Sequence, residues 1–497
     1  MSSISNDPNV RVTEPNGTLD SASQKGFLGH PRPLATLFSV EMWERFSFYG
    51  MQAILAYYMY YSVAEGGLGM DKALAVSLVG AYGGGVYLST ILGAWLADRV
   101  FGGERVLFYS AIMIMCGHLA LALLPGGVGL AIGLILVAVG SGGLKANASV
   151  IVGTLYSRED PRRDAGFSIF YMGVNLGALV GPLLTGALQT SLGFHWGFGA
   201  AAVGMALGIA VYAFGRKNLP ELAREVSNPL PAQDRKKVTL IGIAALVVIV
   251  ALFAIRLVTL DNLATVISYV VAIAAIVYFT VILRSPQVNT VERNRVFAFI
   301  PLFIASVAFW ALFQQQFTFI AVYSDERLDR NLFGWEMPAS WVQSINPIFI
   351  IIFAGIFAAL WTKMGQRQPS TPLKFALSLF IIGVAYLIFI PMESLEKTPL
   401  LVLAGILLLC TFAELLLSPI GLSISTKLAP EAFRTQMMAL FYLSVSLGTT
   451  LSGVLAAYYQ PGQEIAYFVA LGAGCIILGV ALLVATPAIK RLMGGVK

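Results

Sequence analysis

Fourteen apolar segments occupy most of this 497-residue sequence, and each is about 20 residues long or longer. A helix of this length crosses the hydrocarbon core of a bilayer. Charged residues make up 12% of the chain, about half of their share in soluble proteins. The sequence therefore predicts an all-α membrane protein. The segments lie near residues 34–61, 75–98, 105–124, 128–153, 166–189, 196–214, 238–257, 263–284, 297–324, 338–362, 372–391, 398–427, 433–459 and 465–486.

Polar stretches divide these segments into groups of six, two and six. The first thirty residues are rich in Ser, Asn, Asp, Pro and Gly, a composition typical of disorder. The predicted units are a disordered cytoplasmic tail (1–30), an N-terminal six-helix bundle (31–214), a cytoplasmic linker (215–237), two additional transmembrane helices (238–285), a C-terminal six-helix bundle (296–486) and a second cytoplasmic tail (487–497).

The distribution of positive charge indicates the orientation. Threading fourteen segments alternately through a bilayer puts both termini on one side, together with most of the 32 Lys and Arg. The loops on the other side contain Lys72, Arg327, Arg330 and Lys397. Because positively charged loops stay in the cytoplasm, we expect both termini there and expect no nucleic-acid partner despite the net charge of +6. Two six-helix halves joined by a basic linker are typical of transporters whose site lies between the halves.

Three ionisable residues share one face of the first segment, because Glu41, Glu44 and Arg45 recur at helical spacing. A single charge in the middle of a bilayer costs about 2.5 kcal/mol or more. This stripe must therefore face protein or water. One interpretation is an internal ion pair that only holds the helix against a neighbour, and the other is a functional site.

Two further ionisable residues lie within the later segments. Lys145 is surrounded by small residues, which leave room for a cavity, and it either bridges to the carboxylates of the first segment or belongs to the site. Glu414 has no cation on its own segment, which is typical of a proton or substrate site. Positive charge in one half and negative charge in the other suit a zwitterion such as a short peptide.

Other candidate residues are polar, aromatic or part of a loop. Side chains able to line a cavity are Tyr49, Tyr82, Asn175, Gln315, Asn346 and Ser418. The loop after the second segment, from Gly93 to Arg105, looks like the signature loop of the major facilitator superfamily. Its Asp98, Arg99 and Arg105 are expected to form a conformational latch on the cytoplasmic face.

With these residues in view, the chain resembles the proton-coupled oligopeptide transporter family of that superfamily. The resemblance covers residues 30–490 and implies a fold of two six-helix bundles with two extra central helices, as in bacterial members. The motifs that carry it are Glu41-x-x-Glu44-Arg45-Phe46 with Tyr49-Gly50, the stretch from Phe167 to Gly177, Phe309-Trp310 with Gln315, Gln343 with Asn346-Pro347, and Glu414 with Ser418-Pro419.

The resemblance implies import of di- and tripeptides driven by an inward proton gradient across the bacterial cytoplasmic membrane. We expect a monomer in contact with membrane lipid, with no cofactor other than protons. We find no nucleophile–base pair and no metal-ligand set in the sequence, so we expect neither an enzyme nor a metal site. Arg45 and Lys145 would attract the peptide carboxylate, and Glu414 would attract the amino terminus. The remaining predicted contacts to the peptide are Tyr49, Tyr82, Asn175, Gln315, Asn346 and Ser418. The residues expected to take part in proton coupling are Glu41, Glu44, Arg45, Lys145 and Glu414.

In the proposed cycle, Lys145 pairs with the carboxylates of the first segment when no peptide is bound. Two positions depart from the family pattern: Gln52 stands where some members have a second basic residue, and Phe441 stands where a tryptophan is often present. The alternatives are a transporter of the same superfamily for another solute, such as nitrate or a drug, and a membrane receptor that binds peptide without transporting it.

Overall fold

The computed structural model describes residues 26–157, 160–460 and 462–496, so most of the predicted N-terminal tail lies outside the described residues. In chain order the α-helices of the described part are α1 (Pro33–Tyr60), α2 (Lys72–Leu96), α3 (Gly103–Leu123), α4 (Gly126–Gly153), α5 (Arg163–Leu192), α6 (Phe194–Gly215), α7 (Ala232–Ala254), α8 (Leu263–Arg284), α9 (Thr290–Phe313), α10 (Phe319–Glu326), α11 (Ile345–Met364), α12 (Thr371–Leu387), α13 (Phe389–Met392), α14 (Leu400–Lys427), α15 (Arg434–Ala456) and α16 (Glu464–Leu492).

Four strands of two residues each tie loops together at one end of the bundle. Leu328–Asp329 (β1) pairs in parallel with Thr398–Pro399 (β4). Asn331–Leu332 (β2) pairs in the antiparallel sense with Trp335–Glu336 (β3). The all-α prediction is therefore confirmed, since these pairings join only short loop segments.

Thirteen helical stretches in the described part of the chain are long and apolar enough to cross a membrane. In two of them a pair of helices forms one span, α9 with α10 and α12 with α13. Helix α1 is not among the thirteen because its three charged residues and its tyrosines reduce its hydropathy. Its 28 residues are nevertheless long enough to span a bilayer, which agrees with the fourteen predicted segments.

Local sequence signals account for several helix starts. The Asp71 side chain accepts a hydrogen bond from Leu74 N at 3.1 Å and so caps α2. Asn289 and Glu292 exchange hydrogen bonds between side chain and backbone in a capping box that begins α9. These caps fix where each helix leaves the polar loop before it.

The helices pack as two groups of six. Helix α1 packs on α5 and α6, and α3 packs on α4 and α6. In the other group α12 packs on α14 and α16, and α15 packs on α9 and α14. The groups meet along α2 and α15, where Gly80 and Gly453 are so close that a Cβ atom on either would meet the backbone of the other.

Helices α7 and α8 differ in how much of their surface the rest of the chain covers. Helix α8 lies against α2, α9 and α15. Its buried residues form one stripe, which consists of Ala264, Ser268, Val271, Ala275 and Ile282. Helix α7 has no buried residue. The α7–α8 hairpin is therefore attached through α8.

Both described ends of the chain lie on one side of the bundle, here named the near side, because successive spans run in opposite directions. On the opposite, far side the two groups of helices are joined by hydrogen bonds. The Tyr57 hydroxyl donates to Ala321 O at 3.0 Å, and the hydroxyls of Tyr60 and Tyr61 each donate to Asp325 at 2.8 Å. These bonds hold the far side closed.

Residues 26–30, predicted as the end of a disordered tail, form a turn on the near side. His30 Nδ1 lies 2.9 Å from the Tyr156 hydroxyl, and Arg162 Nη1 donates to Gly29 O at 3.1 Å. Burial raises the pKa of Tyr156 to about 12, so this hydroxyl stays protonated. These contacts attach the turn to the loop between α4 and α5, and the extent of the predicted tail stays a prediction, because residues 1–25 lie outside the described residues.

Candidate functional site

A cavity of about 640 Å³, including its open mouth, lies between the two groups of helices. Both groups contribute to its wall, which combines aromatic rings, carboxamides and one carboxylate. The first group supplies Tyr49, Tyr87, Tyr171, Val174, Asn175, Ala178 and Pro182, and the second supplies Trp310, Phe313, Gln314, Gln316, Phe317, Gln343, Asn346, Pro347, Ile350 and Glu414. The wall presents many polar groups beside its aromatic rings, and converging polar groups of this kind orient a small ligand in its site.

Glu414 is the one charged residue among the described residues that line this cavity. Its Oε2 accepts a hydrogen bond from Asn346 Nδ2 at 3.2 Å, and the same Nδ2 donates to Thr411 Oγ1 at 2.9 Å. No Lys or Arg of the described chain forms an ion pair with it. The carboxylate is thus positioned by Asn346 and left without a counter-ion.

A second group of charges lies on α1. Arg45 Nε and Nη2 each lie 2.7 Å from Glu41 Oε1, and Nε lies 3.1 Å from Glu44 Oε2. Ser141 on α4 donates to Glu44 Oε1 at 3.0 Å. All three charged side chains are buried, and Glu41 Oε2 and Glu44 Oε2 have no hydrogen-bond partner in the described chain. The Arg45 guanidinium therefore forms ion pairs with both Glu41 and Glu44.

Lys145 does not make the expected ion pair with Glu41 or Glu44. Its ammonium lies 4.2 Å from the ring centroid of Phe48 and 5.6 Å from that of Tyr87, as in cation–π contacts. The reason is that Arg45, on the same helix as both carboxylates, already pairs with them. The expected pairing of Lys145 is therefore wrong for this conformation.

The structure brings four of the predicted peptide contacts together in the cavity wall: Tyr49, Asn175, Asn346 and Glu414. The other predicted contacts, which are Arg45, Tyr82, Lys145, Gln315 and Ser418, do not line it in this conformation. Arg45 and Lys145 lie next to the wall, because Tyr49 follows Arg45 by one helical turn and Lys145 contacts Tyr87.

Gln315 lies behind the wall for a reason that helical spacing does not reveal. Helix α9 ends at Phe313, and a 3₁₀ turn spans Gln314–Phe317. Gln315 is fully buried and accepts a hydrogen bond from the Tyr467 hydroxyl at 2.5 Å. Its two neighbours, Gln314 and Gln316, line the cavity instead.

Sequence reasoning did not assign Tyr87, Tyr171 and Gln343 to the site. Tyr171 precedes Asn175 by one turn of α5, and Asn175 Nδ2 donates to Tyr171 O at 2.9 Å. Gln343 stands in the same motif as Asn346 and donates through Nε2 to Gln316 O. Helical spacing from the assigned asparagines could have identified Tyr171, whereas nothing in the sequence identifies Tyr87.

The predicted latch residues lie where α2 meets α3 on the near side. Asp98 and Arg99 belong to a π-helical turn, Ala97–Phe101, and Arg105 lies in the first turn of α3. The backbone oxygens of Asp98 and Arg99 accept hydrogen bonds from Asn228 N and Leu230 N, both at 2.9 Å. Asp98 and Arg105 are exposed, and the predicted latch residues make no side-chain ion pair within the described ranges. In this conformation the loop therefore holds the linker through its backbone.

The two departures from the family pattern lie away from the cavity. Gln52 is buried on α1, and its Oε1 has no hydrogen-bond partner in the described structure. Phe441 packs over Gly421 and beside Tyr442, with its ring centroid 5.9 Å from that of Tyr442. Neither substitution changes the cavity wall in this conformation.

Comparison with known proteins gives three kinds of match. Residues 104–473 match the family model described as the POT family. An uncharacterized transporter of Bacillus subtilis is 46% identical over 488 residues, which cover 96% of this chain and 98% of the relative. A di-/tripeptide transporter of Lactococcus lactis subsp. cremoris is 40% identical over 492 residues, which cover 96% and 99%.

A solved structure is similar to this chain in both fold and sequence. The crystal structure of a peptide transporter, POT, in complex with sulfate superposes with a TM-score of 0.92 and 46% sequence identity. The match covers 95% of this chain and 98% of that chain. The predicted arrangement of two six-helix bundles and two extra helices agrees with this superposition.

Proposed function

The chain belongs to the POT family, and from this membership we propose that it imports di- and tripeptides together with protons by alternating access. The observation that carries the proposal is the cavity between the halves, in which Glu414 faces the substrate space without a counter-ion from the described part of the chain. The peptide ammonium would pair with this carboxylate. The peptide carboxylate would be drawn toward Arg45 and Lys145 on the opposite side.

The proton is proposed to bind the charged group on α1. Two carboxylates share Arg45 there, and each has one oxygen without a hydrogen-bond partner among the described residues. A proton on Glu41 or Glu44 removes one of the two negative charges that hold the guanidinium. Arg45 then keeps only one carboxylate partner and can also attract the peptide carboxylate, so that proton and peptide favour the same step of the cycle.

We also propose an orientation and a location for this multi-pass membrane protein. The near side would face the cytoplasm of a bacterial cell, because most Lys and Arg lie in the loops on that side. Both termini would then be cytoplasmic, and the hydrogen bonds to Asp325 would close the outer entrance. The chain would act as a monomer.

Uptake of labelled dialanine into proteoliposomes tests the proposal. We expect accumulation only with an inward proton gradient, and competition by unlabelled di- and tripeptides but not by free alanine. Exchange without accumulation would preserve the peptide site and refute proton coupling. If folded protein takes up no peptide in either condition, peptide transport is refuted and other zwitterions become the first candidates.

A further inference from the structure

The charges around the cavity bear on which peptides it accepts. Glu41, Glu44 and Glu414 provide three carboxylates, whereas Arg45 and Lys145 provide two cations. Arg45 is already bound by two of the carboxylates, and Lys145 lies over an aromatic ring. Among these five groups there is therefore an excess of one negative charge.

A zwitterionic dipeptide can pair both of its charges with groups at the cavity. Its ammonium pairs with Glu414 and its carboxylate pairs with Arg45 or Lys145. With one proton on Glu41 or Glu44, the two cations balance the two remaining carboxylates, and the dipeptide adds no net charge. A peptide with an acidic side chain brings one further carboxylate, so the charges around the cavity are left with an excess of one negative charge. An unpaired charge in a low-dielectric cavity costs far more than an unpaired amide.

Three carboxamides from the second group of helices line the cavity together. We name Gln314, Gln316 and Gln343 the amide cluster. The side-chain amides of Gln314 and Gln316 have no hydrogen-bond partner in the described part of the chain. Gln343 donates through Nε2 to Gln316 O, while its Oε1 is buried and unpartnered within the described residues.

These unused donors and acceptors point to a ligand group of matching chemistry. An amide can donate and accept a hydrogen bond but cannot neutralise a charge. We propose that the amide cluster receives the substrate side chain and makes the cavity select peptides with uncharged side chains against acidic ones. This inference rests on the peptide transport proposed above and adds a substrate preference to it.

Alanyl-glutamine and alanyl-glutamate test this preference, because they differ in charge but hardly in shape. Each is used to compete against labelled dialanine in proteoliposomes at about pH 7, where a glutamyl side chain is ionised. We expect alanyl-glutamate to compete at least about tenfold more weakly, since an unsatisfied buried group typically reduces binding by that factor or more. Equal competition by the two peptides would overturn the proposal.

A charge introduced into the amide cluster provides the second test. Gln316→Lys should narrow the difference between the two competitors, because the new ammonium can pair with the glutamyl carboxylate. The control Gln316→Met removes the amide without adding charge and should leave alanyl-glutamate the weaker competitor. Gln314→Lys serves in the same way if Gln316→Lys does not fold.

The results of these assays distinguish failure of the proposed side-chain preference from failure of the proposed peptide transport. If no peptide competes with dialanine, or dialanine is not taken up, the proposed function itself fails. If dialanine is taken up and the lysine variants keep the parental ratio between the competitors, the amide cluster is not the side-chain subsite. The proposal is supported if the difference between alanyl-glutamine and alanyl-glutamate narrows in the lysine variants but not in Gln316→Met.

Discussion

At position 414 a carboxylate faces the cavity with a hydrogen bond from Asn346 Nδ2, and among the described residues no cation pairs with it. On α1, by contrast, two carboxylates share Arg45. The two sites therefore suit different partners. Glu414 can pair with the ammonium of a substrate, whereas Glu41 and Glu44 must first give up charge before Arg45 can bind anything else.

Glu414→Gln tests the first of these roles. The glutamine oxygen can still accept the hydrogen bond from Asn346, so we expect the variant to fold. Affinity for dialanine should fall by about tenfold to a hundredfold, because a hydrogen bond to a charged group is lost. Competition assays against labelled dialanine measure this loss.

N-acetyl-dialanine is the control ligand for this variant. It has no ammonium group, so its affinity should be nearly the same for the parent and for Glu414→Gln. An equal loss of affinity for both ligands would contradict the assignment of Glu414 to the amino terminus.

How far the sequence predicts the site depends on the regularity of the helix that carries each residue. Tyr49, Asn175 and Asn346 lie on regular helices and line the cavity as spacing indicates. Gln315 does not, because a 3₁₀ turn interrupts the helix at Gln314. The pairing of Lys145 was also missed, since sequence shows that charges can meet but not which of two cations is nearer.

At the scale of helices, the contact between α2 and α15 determines how tightly the halves approach. Gly80 and Gly453 meet backbone to backbone, while Gly83 and Gly84 face Thr449 and Thr450. Because Gly83, Gly84 and Gly85 lie together inside a membrane span, the sequence predicts helix packing for all three. The prediction is wrong for Gly85, which faces open space.

Gly80→Leu should weaken the closure of the far side, because the added side chain would overlap the backbone of Gly453. A cysteine placed at buried Ala321, whose carbonyl accepts the Tyr57 hydrogen bond, reports on this closure. With exposed Cys116 replaced by alanine, an impermeant maleimide should label Ala321→Cys several-fold faster in the Gly80→Leu background.

Gly85→Leu is the matched control, since no atom lies within 4 Å of a Cβ atom at that position. It should leave the labelling rate at Ala321→Cys unchanged. If both leucine variants label at the parental rate, the glycine contact does not determine closure.

At the scale of the whole molecule, α7 and α8 are two spans outside the two six-helix groups. Helix α8 packs against these groups, whereas α7 is exposed. The sequence predicted both helices from hydropathy alone. It could not predict that α8 contacts both groups while α7 contacts neither closely, because both helices are apolar on every side.

Ile282→Val tests whether the stripe on α8 contributes to stability. Ile282 is fully buried, so removal of one methyl group should lower the free energy of unfolding by about 0.5–1.5 kcal/mol. Unfolding in detergent, followed by circular dichroism, measures the change.

The same substitution at Ile276 on α8, where the side chain is 64% exposed, should change stability by less than about 0.5 kcal/mol. Equal effects at the two positions would show that the stripe is not a packing surface. They would instead indicate that α8 is stabilised by its own helical hydrogen bonds.

The position of α8 also has a consequence for the order in which the protein is made. Its buried stripe is covered in part by α15, which begins about 150 residues after α8 ends, or roughly 10–30 s later at ordinary translation rates. Until then the part of the stripe that α15 covers faces lipid or the insertion machinery. Completion of α15 on the ribosome is thus the moment at which the hairpin first acquires its full binding partner.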